Sequence, residues 1–302
     1  MTSKSCRLAA ALALAVAATA ATGCGSSDDN GGTTAAQQPA ATTATKVVAG
    51  VPAAVKSKGT LTVAADASYA PNEFIGEDGK TVVGMDADLG KALAAAMGLK
   101  AKVVNATFDS IIPGLASHKY DLGMSSFTDT KEREKTVDFV TYLSAGTSFY
   151  AKAQGAPAVT GLDNSMCGLT VAVEKGTTQQ DDATAQGKKC TAAGKKPVKV
   201  LTFPDQNGAN LAISSGRAQF GMADSPPAEY QVKKSNGQFK LIGKEYGTAP
   251  YGIAIPKDLG LTQAVLAAVK QVMADGQYKQ ILDKWGIANG AIDNPQINGA
   301  ID

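Results

Sequence analysis

Gly59-Thr60-Leu61-Thr62-Val63-Ala64 decides how the chain is read, because it returns further on as Cys167-Gly168-Leu169-Thr170-Val171-Ala172. Each copy is a short apolar run with β-branched residues, the composition of a buried strand. A second pair of stretches is related in the same way. Leu115 to Ser126 and Ile213 to Asp224 each run from a helix end through a basic turn into a strand with Gly-Met near its close. Polar residues end both strands, Ser125 and Ser126 in the first half, Asp224 and Ser225 in the second. Strands alternating with helices give parallel βαβ units, which bind ligands beyond the carboxyl ends of their strands. Two such halves predict a cleft closing on a small molecule.

Working outward, the first half opens with a strand over 61–65. A helix is predicted from Asp86 to Met97, with Asp86 as N-cap, Leu89, Leu93 and Met97 on one face, and Gly98 as the stop. A strand at 101–105, a helix near 109–117, a strand at 121–125, a helix opened by Thr130 and an extended exit over 148–153 follow. The second half repeats the plan from Leu169 to about Leu241, with a strand at 198–203 and a helix near 207–215. Residues 251–255 are extended again. Helical patterns over 262–274 and 277–285 have no counterpart in the second half and are expected to cross back and complete the first. Crossing segments near 149–153 and 247–253 would make a hinge, and closure is the motion such lobes permit.

The ends and composition narrow the function. Lys4 and Arg7 precede an apolar run, Leu8 to Ala21, of roughly 14 residues, too short for a bilayer span and right for a signal. Ala21-Thr22-Gly23-Cys24 resembles a bacterial lipobox, so 1–23 is expected to be a signal peptide and Cys24 the lipidated residue; the alternative is a soluble secreted protein cut nearby. Residues 24–55 read as a flexible tether, Gly, Ser, Thr, Ala and Gln over most of their length. The formal charge of +2 leaves with that signal, since 27 basic residues then face 27 acidic ones. A neutral chain has no electrostatic footprint for nucleic acid. Cys167 and Cys190 remain in an oxidising compartment and are expected to form a disulfide. His118 is the single histidine and is expected at the surface; one histidine without clustered cysteines disfavours zinc, no phosphate loop is present, and no cofactor is expected.

The local signal with most chemistry is Thr128-Asp129-Thr130-Lys131-Glu132-Arg133. Thr130 caps a helix whose N–H groups favour an anion, and Arg133 adds a bidentate grip on a carboxylate. Gly176-Thr177-Thr178-Gln179-Gln180 matches it in the second half, with a capping box between Thr177 and Gln180. Asp224, at a strand end, is placed to receive a cation. An anion clamp facing a carboxylate describes a receptor for a zwitterion.

These stretches, with Asp66 to Pro71, Glu73-Phe74, Gly84 to Leu89, Ile111-Ile112-Pro113, Val137-Asp138-Phe139, Glu174 to Gln179, Asp224-Ser225-Pro226 and Pro250 to Ala254, resemble the family 3 extracellular solute-binding proteins of amino-acid ABC importers, over roughly residues 57–286. The resemblance implies an α/β, two-lobed periplasmic-binding-protein fold of type II. Each lobe would be a mixed, mainly parallel sheet flanked by helices, 56–150 with 250–302 as lobe 1 and 151–249 as lobe 2. It implies that Arg133 binds the ligand carboxylate, helped by Ser126, Thr128 and Thr178, that Asp224 binds the ammonium, and that Tyr69 and Phe108 pack on the side chain. Asp66 lies where some cationic-amino-acid binders hold a side-chain amine. Asp129 stands where an apolar residue is common. The implied activity is capture of a free amino acid, polar or cationic, and delivery to an ABC permease by a lipid-anchored monomer at the outer face of the membrane. A sensing module for a receptor, and a dehydratase-like enzyme on the same scaffold, are the alternatives.

Overall fold

The structure, a computed structural model, describes residues 47–301. The expected signal, Cys24 and the tether as far as residue 46 lie outside the described residues. The chain runs α1 (Ala53–Lys58), β1 (Thr60–Ala65), β2 (Ser68–Tyr69), β3 (Glu73–Ile75), β4 (Val82–Val83), α2 (Met85–Ala96), β5 (Lys100–Asn105), α3 (Phe108–Ala116), β6 (Leu122–Gly123), α4 (Lys131–Glu134) and β7 (Val137–Lys152). It continues through β8 (Thr170–Glu174), α5 (Thr178–Ala192), β9 (Lys199–Phe203), α6 (Gln206–Ser214), β10 (Phe220–Asp224), α7 (Ser225–Lys234), β11 (Phe239–Pro256), α8 (Thr262–Ala274) and α9 (Gln277–Trp285).

One sheet carries both halves, in the order β5-β1-β6-β11-β7-β10-β8-β9. The three strands on one side are parallel, as are the three on the other, and β7 and β11 lie between them antiparallel to their neighbours. The duplicated stretches are therefore β1 and β8, each the middle of its parallel trio. Strands buried on both faces need apolar residues at every position. Val171 and Val173 face a core with Phe149, Met166 and Phe220, while Ala172 between them faces Tyr150, Ala209 and Ile213. In the first half Leu61 and Val63 pack with Leu89, Leu93, Val265, Val269 and Leu282, and Ala64 faces Phe108 and Ile111. The helices α8 and α9 thus complete the first core, as their unmatched pattern predicts.

The chain changes core within β7. Residues up to Leu143 belong to the first core, whereas Phe149 and Tyr150 pack on Phe220 and Phe239. The passage falls at about 144–148, ahead of the expected 149–153, because those two aromatics are already buried in the second half. On the return strand the pairing with β7 is irregular between Ile242 and Tyr246 and between Tyr246 and Ala249. The end of the expected tether is also packed, with Val51 and Val55 buried in the first core.

Asp86 is not a helix cap. The cap position is Gly84, at φ 126°, where a Cβ would lie 2.2 Å from the Asn72 carbonyl oxygen. Asp86 is buried in the first turn of α2 and accepts hydrogen bonds from the Tyr142 hydroxyl and the Ser126 amide. His118 is exposed and paired with Asp258. Cys167 and Cys190 form the expected disulfide, Cα–Cα 5.6 Å, with Cys190 inside α5 instead of after it. Closing a loop of 23 residues' separation restricts the unfolded chain and contributes about 3 kcal/mol. Replacing both cysteines by alanine is expected to lower the melting midpoint by roughly 6–12 °C in circular dichroism; an unchanged midpoint would mean that the bridge contributes nothing.

Candidate functional site

Four strand ends deliver polar residues to one place: Asp66 after β1, Ser125 and Ser126 after β6, Glu174 closing β8 and Asp224 closing β10. They border one small cavity. All nine residues expected from the sequence line it: Asp66, Tyr69, Phe108, Ser126, Thr128, Arg133, Thr177, Thr178 and Asp224. Glu73, Ser125, Glu174 and Gln179 line it as well. Of the two acids among these four, Glu174 carried a readable signal, since a carboxylate ending an apolar strand is what marked Asp224, whereas Glu73 opens its strand. Gln179 was hidden because its neighbour Gln180 accounts for the capping pattern.

Thr130 caps α4 by accepting from the Arg133 amide, but α4 is a single turn, so the anion-binding element here is the Arg133 side chain more than a helix dipole. The guanidinium packs 5.3 Å from the Phe108 ring and 5.5 Å from Phe127, rings that stack on each other at 4.5 Å. Its Nη1 donates to the Thr128 carbonyl and its Nη2 to the Gly176 carbonyl across the cavity. Those contacts fix the plane of the fork, which is what bidentate carboxylate recognition requires. Opposite it, α5 begins at Thr178, with Thr177 donating to the Glu174 carbonyl and accepting from the Gln180 amide.

Asp224 is 7 % exposed and accepts from the Gln179 amide at 2.7 Å. Its own backbone N–H donates to the Tyr69 hydroxyl at 2.8 Å, so Tyr69 reaches from the first half to the second. Burial pushes the Asp224 carboxyl up to about 6, against the pull of the nearby Tyr251 hydroxyl, the Gln179 and Tyr69 contacts and the Arg133 charge. It forms no side-chain cap on α7.

A second pair of acids is Glu73, in the cavity wall, and Asp86 behind it. Glu73 receives the Ser125 and Ser126 hydroxyls, and Asp86 receives the Ser126 amide. Both oxygens of Ser68 and Ser125 are drawn into the same network, with the Asp66 amide donating to Ser125 and Ser68 donating to Asp66 at 2.6 Å. Ser126, at φ 51°, therefore spends its amide and hydroxyl on acids. Burial and the neighbouring Asp86 raise Glu73 well above the usual carboxylate range. Asp129 does not line this cavity; it accepts from the Gly299 amide, and burial next to Glu134 pushes it up to about 7. Among the described residues no cluster is arranged to hold a metal ion, and no helix is long and apolar enough to cross a membrane.

The sequence matches the model of the bacterial extracellular solute-binding proteins, family 3, over residues 61–288. The chain belongs to this family. The solute-binding protein is 35 % identical over 255 residues to the arginine-binding protein ArgT of Corynebacterium glutamicum, covering 84 % of this chain and 83 % of that one. It also resembles a solved ancestral arginine-binding protein bound to arginine, with a TM-score of 0.69, 34 % identity and coverage of 75 % and 98 %. An ancestral amino acid-binding protein that is a precursor of cyclohexadienyl dehydratase matches with a TM-score of 0.69, 34 % identity and coverage of 77 % and 97 %. These are two-lobed folds of the type II periplasmic-binding class, which the shared sheet and paired cores reproduce.

Burial raises Asp66, Glu73, Glu174 and Asp224 alike. An acid whose folded pKa is raised contributes stability that is fully present below its unfolded value and is lost as pH rises through the folded one. Asp78, Asp88, Asp138 and Asp163 are lowered, so their contribution is fully present above the ordinary carboxylate range and is lost only at more acid pH. The solute-binding protein without ligand is therefore expected to melt higher at about pH 5 than at about pH 7.5. Scanning fluorimetry checks this, and a midpoint that rises from about pH 5 to about pH 7.5 would contradict it.

Proposed function

We propose that this protein captures a free amino acid with a cationic side chain, arginine foremost, outside the cell and presents it to an ABC permease. The observation that carries the reading is a charge excess. Four carboxyl groups line the cavity, and Arg133 is the only base among the described residues that do. A zwitterion has one anionic and one cationic end, which Arg133 and Asp224 match. Glu73 is occupied by two hydroxyls and by Asp86. Asp66 and Glu174 remain, and a third charge on the ligand, positive, is what they call for. The names of the Corynebacterium relative and the arginine-bound ancestral protein point the same way.

Magnitudes agree. Charge-assisted hydrogen bonds contribute about 1.5–3 kcal/mol each, so a handful supply the roughly 8 kcal/mol of micromolar binding after ordering costs. Lipidation of Cys24 would hold the protein, as a monomer, at the outer face of the membrane on a flexible stalk. The dehydratase precursor to which the fold is similar is itself an amino acid-binding protein, and it supports the binding reading over the catalytic one.

A thermal-shift screen of the twenty amino acids is expected to rank arginine first. In calorimetry Arg133→Ala should weaken arginine binding by about a hundredfold or more, since the ligand carboxylate loses its partner in a dry site. An Arg133→Ala protein that binds arginine as its parent does would remove Arg133 from the site, and a screen in which no cationic amino acid stabilises the protein would end the reading as a whole.

A further inference from the structure

We propose that Glu174 sets the specificity of this site: with Asp66 it forms a two-sided seat for the side-chain cation of the bound amino acid, and that cation displaces a proton which the two carboxyls otherwise share. The inference rests on the cationic-ligand reading above and adds to it a residue, a second wall and a proton.

The geometry comes first. Glu174 closes β8 in the second half and is 3 % exposed, yet its Oε1 has no hydrogen-bond donor among the described residues. It borders the same cavity as Asp66, which follows β1 in the first half and is 4 % exposed. Asp66 is held in place, with Oδ1 receiving the Ser68 hydroxyl and Oδ2 the Phe108 amide at 3.0 Å. The two carboxyls are within hydrogen-bonding reach of each other, an arrangement that needs a proton between them. Glu174 keeps it, because burial and the Asp66 charge both push Glu174 well above the usual range, whereas the two donors on Asp66 pull the other way.

Among the described residues the groups around the pair are mostly acids. Asp205, at the start of α6, Asp224, after β10, and Glu73, on β3, all add negative charge around the pair. Lys175, next in the chain, points instead to Asp109 at 2.8 Å and is largely exposed. Arg133 is turned toward the carbonyls of Thr128 and Gly176. A guanidinium has five donors in a plane and can address two carboxylates at once. When it enters, the Glu174 O–H bond breaks, the proton passes to solvent, and both acids face the ligand as carboxylates. Because Asp66 and Glu174 belong to different cores, a cation between them also ties the two halves together.

The test is calorimetry near pH 7 in two buffers of different ionisation enthalpy, with L-arginine and with L-citrulline, which has the same shape and a neutral urea in place of the guanidinium. The parent should release close to one proton more with arginine than with citrulline. Glu174→Gln should lose that extra proton and lose about tenfold or more of the parent's preference for arginine over citrulline, while an unchanged circular dichroism spectrum shows the variant folded. Equal proton counts for the two ligands in the parent overturn the inference without any variant, as does a Glu174→Gln protein that keeps the parent's preference for arginine. A parent that binds neither arginine nor any other cationic amino acid overturns instead the function on which the inference rests.

Discussion

Taking carboxyl groups out of water is the constraint around which this molecule is organised. A buried carboxylate must find donors, find a cation or keep its proton, since bare desolvation is worth several kcal/mol against it. Here the three solutions stand side by side. Asp86 finds donors in the Tyr142 hydroxyl and the Ser126 amide. Asp224 has the Gln179 amide and the field of Arg133. Glu73 and Glu174 are pushed toward the protonated form by burial and by an acid next door. Such a site is poised for positive charge, and the shape of its wall decides what carries that charge in.

The scaffold that permits this is the pair of long strands shared by both halves. Because β7 and β11 run through both cores, the strand ends of one half open toward those of the other, and one cavity collects residues far apart in sequence. Among the bonds between the halves are Arg133 to the Gly176 carbonyl, the Asp224 backbone N–H to the Tyr69 hydroxyl, the Gln206 backbone N–H to the Ser68 hydroxyl, and Lys175 to Asp109. The irregular pairing between Ile242 and Ala249 lies where the halves meet, and that is where a change in their angle can be absorbed with little loss of ladder bonding.

Much of this was legible in the residues. The repeat of Gly59–Ala64 at Cys167–Ala172 marked the two central strands, and the apolar period of 262–285 gave two helices at their observed bounds. Arg133 and Asp224 stood out because a capped turn after a strand and an acid at a strand end are chemical signals independent of packing. Local appearance misled at Asp86, which has the look of a helix cap and is instead buried, since Gly84 leaves no room for any other residue at the turn. Asp129, standing where an apolar residue is common, finds its partner in Gly299, which is distant in sequence.

By itself, then, the order of residues determined the two related halves, the alternation of strand and helix, the disulfide partners and many of the residues that line the cavity, because each depends on short-range periodicity or on side-chain chemistry. Tertiary structure alone decided that Glu174 meets Asp66, that Gln179 supports Asp224, and that Ser126 serves the acids behind the wall. Those facts follow from how strand ends and helix starts meet over a shared sheet, and no local pattern encodes a distance between residues that are 40, 45 or 108 positions apart.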